Sequence, residues 1–440
     1  MRTCIVLPSD QSFMVKKSSD WSVRMINHGV ALLIAYAEKQ GFLLELIDTR
    51  RLSGWNEYIE KIKDFDVVCF SVSTINFGVY KEALNMLKTV NPKSVVIVGG
   101  VHPTVKVSDF INDMDVDYII QGEGEVALTK LLNYIKKGIC DIPRIHQREE
   151  VNLDDIPFIN RNLWLQEVPL KFAGQSPFIT ILASRACTMN CSFCQPCSRL
   201  IFGNDERRRS VDNVINELVV LDKTYHFKSW MIHDDGFLQN LSWVKSFLEA
   251  YKKKGFGPRP LIIQCRANYI VNHPELIKDL RDILGLDIAI VGFESGSNKV
   301  LKLLRKGTTR EVNLEAAKIL NKYGVKIFAN IMMGVPGETN EDVDLTMSMV
   351  KEINPVHFSP ATFSPYPGSD LHDYCLKNNL ILDEYASRHV GQKKLRNIDY
   401  NYIQRAIDKY TSEKHPVKFW LKHTNLPLMG TMRKIYRKVR

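Results

Sequence analysis

Cys187-Thr188-Met189-Asn190-Cys191-Ser192-Phe193-Cys194 carries three thiols with gaps of three and two residues. The apolar run Phe178-Ile179-Thr180-Ile181-Leu182-Ala183-Ser184 leads straight into it, so the thiols sit on a loop at the end of a predicted strand. Thiolates are soft ligands suited to iron–sulfur or zinc. Three of them are one short of a closed structural site, which takes four protein ligands. On a four-iron cluster, three ligands leave one iron open to a small molecule. Cys197, three residues further on, keeps a four-thiol zinc knuckle as the alternative.

Outward from that loop, residues 178–370 repeat strand and helix six times. The predicted strands are Phe178–Ser184, Ser229–His233, Leu261–Arg266, Asp287–Glu294, Val325–Met333 and Val356–Phe363. In β/α barrels the chemistry sits at the C-terminal ends of the strands. Those ends read His233-Asp234-Asp235-Gly236-Phe237, Cys265-Arg266, Val291-Gly292-Phe293-Glu294-Ser295-Gly296, Met333-Gly334-Val335-Pro336-Gly337-Glu338-Thr339 and Phe363-Ser364-Pro365-Tyr366-Pro367-Gly368-Ser369. Adjacent carboxylates repel, so Asp234 and Asp235 mark either a ligand site or a helix cap. Arg266 is placed either to hold a carboxylate in a bidentate grip or to form an ion pair at the barrel rim. Arg305 and Lys306 read by default as a solvated helix end.

Residues 1–140 alternate strands and helices as well. The strands are Cys4–Leu7, Leu43–Asp48, Val67–Val72, Ser94–Gly99 and Asp117–Ile120, and their near-continuous apolar character predicts a parallel, doubly wound sheet. Ligands of such sheets lie at the carboxyl ends of the strands. There the chain places Ser71-Val72-Ser73-Thr74, Gly99-Gly100-Val101-His102-Pro103-Thr104 and Gly122-Glu123-Gly124-Glu125. Small residues let a large flat ligand approach the backbone. No Gly-x-Gly-x-x-Gly follows the first strand, so a dinucleotide is not expected. A nucleotide-binding or ligand-free Rossmann-like domain is the alternative. Residues 141–177 lack periodicity and hold Pro143, Pro157 and Pro169, which predicts a linker over the surface. Residues 371–440 read as a helical, basic region.

Lys and Arg number 59 against 49 Asp and Glu, a net charge of +10 that suits an anionic partner or a solvated basic surface equally. Nine cysteines, mostly single, are no disulfide scaffold and point to a reducing compartment. The first residues show no signal-peptide anatomy, and the longest apolar runs, Gly29–Ala37 and Val95–Val101, are too short to span a bilayer, so a cytoplasmic protein is expected. No nucleic-acid partner is expected. Phe419-Trp420-Leu421 among lysines fits either a peripheral membrane contact or a helix over the barrel mouth.

The cysteine spacing, with Phe193 before the third thiol, resembles the radical S-adenosylmethionine (SAM) family. Gly-x-Glu-Ser-Gly at 292–296, Gly-x-Pro-Gly-Glu-Thr at 334–339 and Pro-x-Pro-Gly-Ser at 365–369 follow that family's order. The Gly-Gly-x-His-Pro-Thr and Gly-Glu-Gly-Glu loops resemble the cobalamin (B12)-binding domain that precedes many of its members, so the resemblance covers nearly all of residues 1–370. It implies an α/β chain: an N-terminal Rossmann-like doubly wound cobalamin-binding domain, a partial (β/α)6 TIM-type radical SAM barrel, and a small C-terminal helical region. A [4Fe-4S] cluster would be held by Cys187, Cys191 and Cys194, with Cys197 a bystander. SAM would meet Phe193, Asp234, Asp235, Arg266, Glu294 and Ser295, with the backbone of Gly334, Val335 and Pro336 at its adenine. Cobalamin would meet Ser71, Ser73, Thr74, Gly99, Gly100, His102, Pro103, Thr104, Gly122, Glu123 and Gly124. The Asp-x-His-x-x-Gly motif that puts a histidine under cobalt is missing, which leaves His102 as either a cobalt ligand or a polar loop histidine.

The implied activity is methylation of an unactivated carbon of a small molecule through a 5′-deoxyadenosyl radical and methylcobalamin. The substrate would be anionic or lipid-like, and an external donor such as flavodoxin or ferredoxin would supply the electron. The alternatives are a non-methylating cyclisation or rearrangement, and a non-catalytic cobalamin or redox sensor with a structural metal.

Overall fold

A computed structural model describes residues 1–10, 12–13, 25–164, 175–194, 197–383 and 392–414, apart from the side chains of 197 and 198. Two parallel sheets of six strands each dominate it. The first contains β1 (Thr3–Leu7), β2 (Leu44–Asp48), β3 (Val67–Ser71), β4 (Val95–Gly99), β5 (Tyr118–Gln121) and β6 (Ile145–Gln147), in the order β2-β1-β3-β4-β5-β6. Because successive side chains of a strand point to opposite faces, each strand feeds two cores. Cys4 and Val6 join Val68, Phe70, Val96 and Val98 on one face. Ile5 and Leu7 join Val67, Cys69, Ile97 and Ile120 on the other. Helices cover both faces, which is why these strands read as unbroken apolar runs.

The stretch expected as a surface linker does more than connect. Ile145–Gln147 pairs in parallel with β5 as the sixth strand, a segment too short for periodicity to reveal. The Arg144 guanidinium fixes its start by donating to the carbonyls of Asp113, at 2.5 Å, and Val116, at 2.6 Å. Ile159 and Trp164 are buried in the core of the first sheet. Arg161, 5% exposed, donates to the Thr180 carbonyl at 2.7 Å and pairs with Glu217. This segment therefore ties the first sheet to the second. Pro169 lies outside the described residues.

The second sheet begins with β7 (Phe178–Ile181). A two-stranded antiparallel ribbon, β8 (Ser184–Arg185) and β9 (Arg207–Arg208), brackets the cysteine loop. The sheet continues with β10 (Ser229–Ile232), β11 (Leu261–Cys265), β12 (Leu286–Glu294), β13 (Lys326–Met333) and β14 (His357–Thr362), in the order β14-β13-β12-β11-β10-β7. These are the six expected strands, in sequence order across the sheet. A bulge between Gly292 and Glu294 breaks the β12–β13 register and leaves Glu294 at φ +62°, where a non-glycine residue is strained. The helices Asp370–Lys377 and Tyr400–Lys414 belong to the region read as helical and basic. Lys418, Lys422 and Phe419-Trp420-Leu421 lie outside the described residues. Among the described residues no helix is long and apolar enough to cross a membrane.

Candidate functional site

The cysteine loop is held from several sides. Ser192 donates its amide to the Leu304 carbonyl at 3.0 Å and its hydroxyl to the Leu303 carbonyl at 2.8 Å. Its own carbonyl accepts from the Leu371 amide at 2.9 Å. Gln239 Oε1 accepts from the Thr188 amide at 2.9 Å, and Arg199 donates to Asn190 Oδ1 at 2.9 Å. Cys187, Cys191 and Cys194 all face one cavity of about 250 Å³. Partial burial pushes the Cys187 thiol up. Arg266 donates to Cys191 Sγ at 3.1 Å and to the Lys306 carbonyl, so its guanidinium braces the loop from across the cavity.

Glu294 and Lys306 close the far wall of that cavity. Lys306 Nζ donates to Glu294 Oε1 at 2.8 Å, and both side chains are almost fully buried. The pair lies over Gly292, where a Cβ would stand 2.4 Å from Glu294 Oε1 and 2.8 Å from Lys306 Nζ, so any larger residue would have to displace the pair. Lys306 was expected as a solvated helix end; the structure buries it beside Phe193, its ammonium 5.7 Å from the ring centroid. The sequence shows only a basic run before Gly307, and the carboxylate that takes Lys306 inward comes from twelve residues upstream.

Other expected SAM contacts divide. Asp234 is fully buried, with Oδ1 accepting from the Ala183 amide and Oδ2 from the Ser184 hydroxyl, each at 2.7 Å. It locks the end of β7, and burial pushes its carboxyl up to about 6. Asp235 instead lines the cavity, its carboxyl pushed up by desolvation. Ser295 has no exposed surface; its hydroxyl lies 3.0 Å from Thr346 Oγ1 and accepts from the Ser297 amide, so it faces away from the cavity. Val335 is buried in a small apolar cluster that Phe193 also touches. Gly334, at φ +75°, lies under Ile398, Tyr400 and Ile403.

Glu338 holds the Gly334–Pro336 turn by accepting the Gly334 amide on Oε2, while Oε1 is buried with no hydrogen-bond partner among the described residues. Asp342 and Lys299 are the charged neighbours, and burial, the largest influence, pushes the Glu338 carboxyl up to about 7. A raised carboxyl binds its proton more tightly folded than unfolded. The cost of burying it is therefore absent below about pH 4.5 and grows until about pH 7, where it reaches about 3 kcal/mol. Glu338→Gln is expected to flatten this part of the fall in unfolding free energy across that window, read by denaturant titration at several pH values. An unchanged pH dependence would contradict it.

A second cavity, of about 430 Å³, opens at the carboxyl ends of the first sheet. Ser71, Ser73, Gly99, Gly100, Gly122, Glu123 and Gly124 line it, as expected of a ligand site there. Gly100 adopts φ +100°, and a Cβ on it would stand 3.0 Å from the Val72 carbonyl. Gly122, at φ +81°, leaves no room for a Cβ beside Arg148. Among the described residues Ser73 Oγ is buried with no hydrogen-bond partner, which leaves it able to meet a polar ligand. The remaining expected residues turn away. His102 is fully buried with its ring 4.6 Å from Phe77, Nε2 donating to Asp109 at 3.1 Å and Nδ1 3.2 Å from Thr74 Oγ1. It is therefore not placed as a cobalt ligand, and Thr74 is turned toward it. Pro103 is buried, its carbonyl accepting from Gln121. Thr104 Oγ1 donates to the Gly100 carbonyl at 2.7 Å and accepts from the Gly122 amide at 2.9 Å, bracing the two glycine loops against each other.

Asp235 and Gln264 line both cavities, so the two spaces meet between β10 and β11. A B12 binding domain model matches residues 22–132, and a radical SAM superfamily model matches residues 181–350. The chain belongs to the radical SAM enzymes that carry a B12-binding domain. Its cofactors are accordingly a [4Fe-4S] cluster, SAM and cobalamin. Both cavities suit them: three thiols line one, and the other is lined by Gly100 and Gly122, whose left-handed backbone and close neighbours leave no room for a side chain. This radical SAM chain is 28% identical over 341 residues to an uncharacterized methyltransferase of Pyrococcus horikoshii, across 73% of this chain and 72% of that protein. It is 25% identical over 398 residues to the anaerobic magnesium-protoporphyrin IX monomethyl ester cyclase of Rubrivivax gelatinosus, across 84% and 69%. Its fold is similar to that of the cobalamin-dependent S-adenosylmethionine radical enzyme OxsB, with a TM-score of 0.73 at 18% identity, across 100% of this chain and 70% of that one.

Gln264 and Arg185 are two of the wall residues that the sequence reading does not reach. Gln264 is the polar residue that ends the apolar run Leu261-Ile262-Ile263, a signal at a barrel strand end that was legible. Arg185 had no signal, because its partners lie sixty residues away in the first domain. Among the cobalamin-cavity glycines, Gly100→Ala forces a side chain into left-handed backbone against Val72. It is expected to lower cobalamin retention after gel filtration several-fold while leaving the iron content unchanged; full retention would show that the loop does not meet the corrin.

Proposed function

We propose that this enzyme is a cobalamin-dependent methyltransferase acting on an unactivated carbon of a small molecule. The observation that carries the reading is the junction at Asp235 and Gln264, which both cavities share. A carbon with neither acidic protons nor nucleophilic character cannot attack the methyl of SAM. When bound, the cluster with SAM would supply a radical able to take a hydrogen atom from that carbon, and cobalamin would supply the methyl group that the resulting substrate radical accepts. The protein's task is then to hold substrate between the two spaces with water excluded.

The wall residues suit that task. Glu294, Lys306 and Arg266 fix the SAM end. Gln264, Asp235 and His233, the last neutral because burial pushes its imidazole down, face the junction with one carboxylate and two uncharged groups. They favour a hydrogen-bond donor on the part of the substrate that enters. The net charge of +10 is compatible with an anionic or lipid-like substrate. The methyltransferase name of the Pyrococcus horikoshii relative supports methyl transfer. Residues 1–140 would bind cobalamin, 178–370 the cluster and SAM, and 371–440 would border the substrate entrance. A one-electron donor of the flavodoxin or ferredoxin class and a reducing, cytoplasmic setting complete the reading.

The test is product analysis on anaerobically reconstituted, cobalamin-loaded enzyme with candidate substrates. Methylated product with matching S-adenosylhomocysteine and 5′-deoxyadenosine is expected. Product with 5′-deoxyadenosine but no S-adenosylhomocysteine would favour a non-methylating cyclisation or rearrangement, as the cyclase of Rubrivivax gelatinosus is named for.

A further inference from the structure

We propose that Arg185 is a positioning residue through which the cobalamin cavity and the cluster loop stabilise each other. Arg185 ends β8, two residues before Cys187, and is 5% exposed. Its guanidinium donates from Nη1 to Glu123 Oε2 at 3.2 Å and from Nη2 to Glu125 Oε1 at 2.5 Å. Arg207, opposite it in the β8–β9 ribbon, also pairs with Glu123. Two carboxylates from the glycine loop of the cobalamin cavity thus meet two guanidiniums from the ribbon that flanks the cluster loop, and the charges balance.

The loop is gripped from its other side too. The helix Cys197–Phe202 follows Cys194 and packs against the helix Val101–Val105 of the first domain. Its Ile201 and Phe202 line the cobalamin cavity. The Phe202 ring lies 5.4 Å from the Arg185 guanidinium, and the Ile201 carbonyl closes on Gly122. Both ends of the cysteine loop therefore run through cavity-wall residues that converge on Arg185. A corrin seated against Gly122 and Gly124 would immobilise Glu123, which lies between them, and Glu125, which follows. Those carboxylates hold the forked guanidinium, and with it the approach to Cys187. A lysine has no fork and reaches one carboxylate at a time. Arg185 binds neither SAM nor the cluster; its effect passes through the loop.

Such coupling is reciprocal: if cobalamin steadies the cluster loop, the assembled cluster tightens cobalamin by the same factor. The inference rests on the two cofactors and not on methylation, so the test measures binding alone. Hydroxocobalamin affinity is read by quenching of intrinsic fluorescence on the full chain, iron-free and with the cluster reconstituted. The native chain is expected to bind about tenfold more tightly with the cluster in place, within the range of ordinary coupling energies. Arg185→Met should bring that ratio near one, with Arg185→Lys and Glu125→Gln between. Where Arg185→Met does not fold or binds no cobalamin, the two milder variants decide. A residue that merely stabilises the fold would weaken both forms alike and leave the ratio at its native value. A native ratio of one, or a native ratio in Arg185→Lys and Glu125→Gln, overturns the proposal.

Discussion

Cys191→Ala is expected to abolish SAM cleavage, taking 5′-deoxyadenosine formation down to the level seen without protein. The thiol is one of three that face the cavity, and it accepts from Arg266 at 3.1 Å. With three ligands on a four-iron cluster no ligand is spare, so the loss of one leaves two irons without protein contact. Iron after anaerobic reconstitution should fall from about four per chain to near background. The fold should survive, because the loop is anchored by Ser192 to Leu303, Leu304 and Leu371 rather than by the thiols. Unchanged circular dichroism together with lost iron is the expected pair of results. Retained iron and retained cleavage would show that the loop is no cluster site.

The second large effect lies at Glu294 and Lys306. Lys306→Met leaves the Glu294 carboxylate buried with no cation, and breaking a buried pair in this way costs about 3–5 kcal/mol. Glu294 already sits in strained left-handed backbone on a bulge, an arrangement that persists where the surroundings impose it. Denaturant unfolding should report the loss. Adding Glu294→Gln to Lys306→Met removes the orphaned charge and should restore much of the stability. SAM binding should stay weak in the double variant, because the carboxylate that would accept from the ribose or amino group is gone. Recovery of both stability and SAM affinity would assign the pair a purely structural role.

Much of this architecture was legible because its signals are local. Strands buried on both faces read as apolar runs, and three thiols in eight residues announce themselves. The segment Ile145–Gln147 was not legible, since three residues carry no period. In the loops at strand ends, sequence shows which residues are present but not which way they turn. His102 and Thr74 pair with each other, Thr104 braces two glycines, and Ser295 bonds to Thr346, while Ser71 and Ser73 face the cavity. The ion pairs at Lys306 and Arg185 depend on partners distant in sequence, which only the folded chain brings together.

The most direct measurement of the central reading needs no substrate. Anaerobically reduced protein, with and without cobalamin, is given SAM bearing a labelled methyl group, and the adenosyl products are counted. If the shared junction joins a SAM site to a cobalamin site for methyl transfer, S-adenosylhomocysteine will form only when cobalamin is bound, with label recovered in the cobalamin fraction. 5′-Deoxyadenosine as the sole product, equally with and without cobalamin, would contradict it.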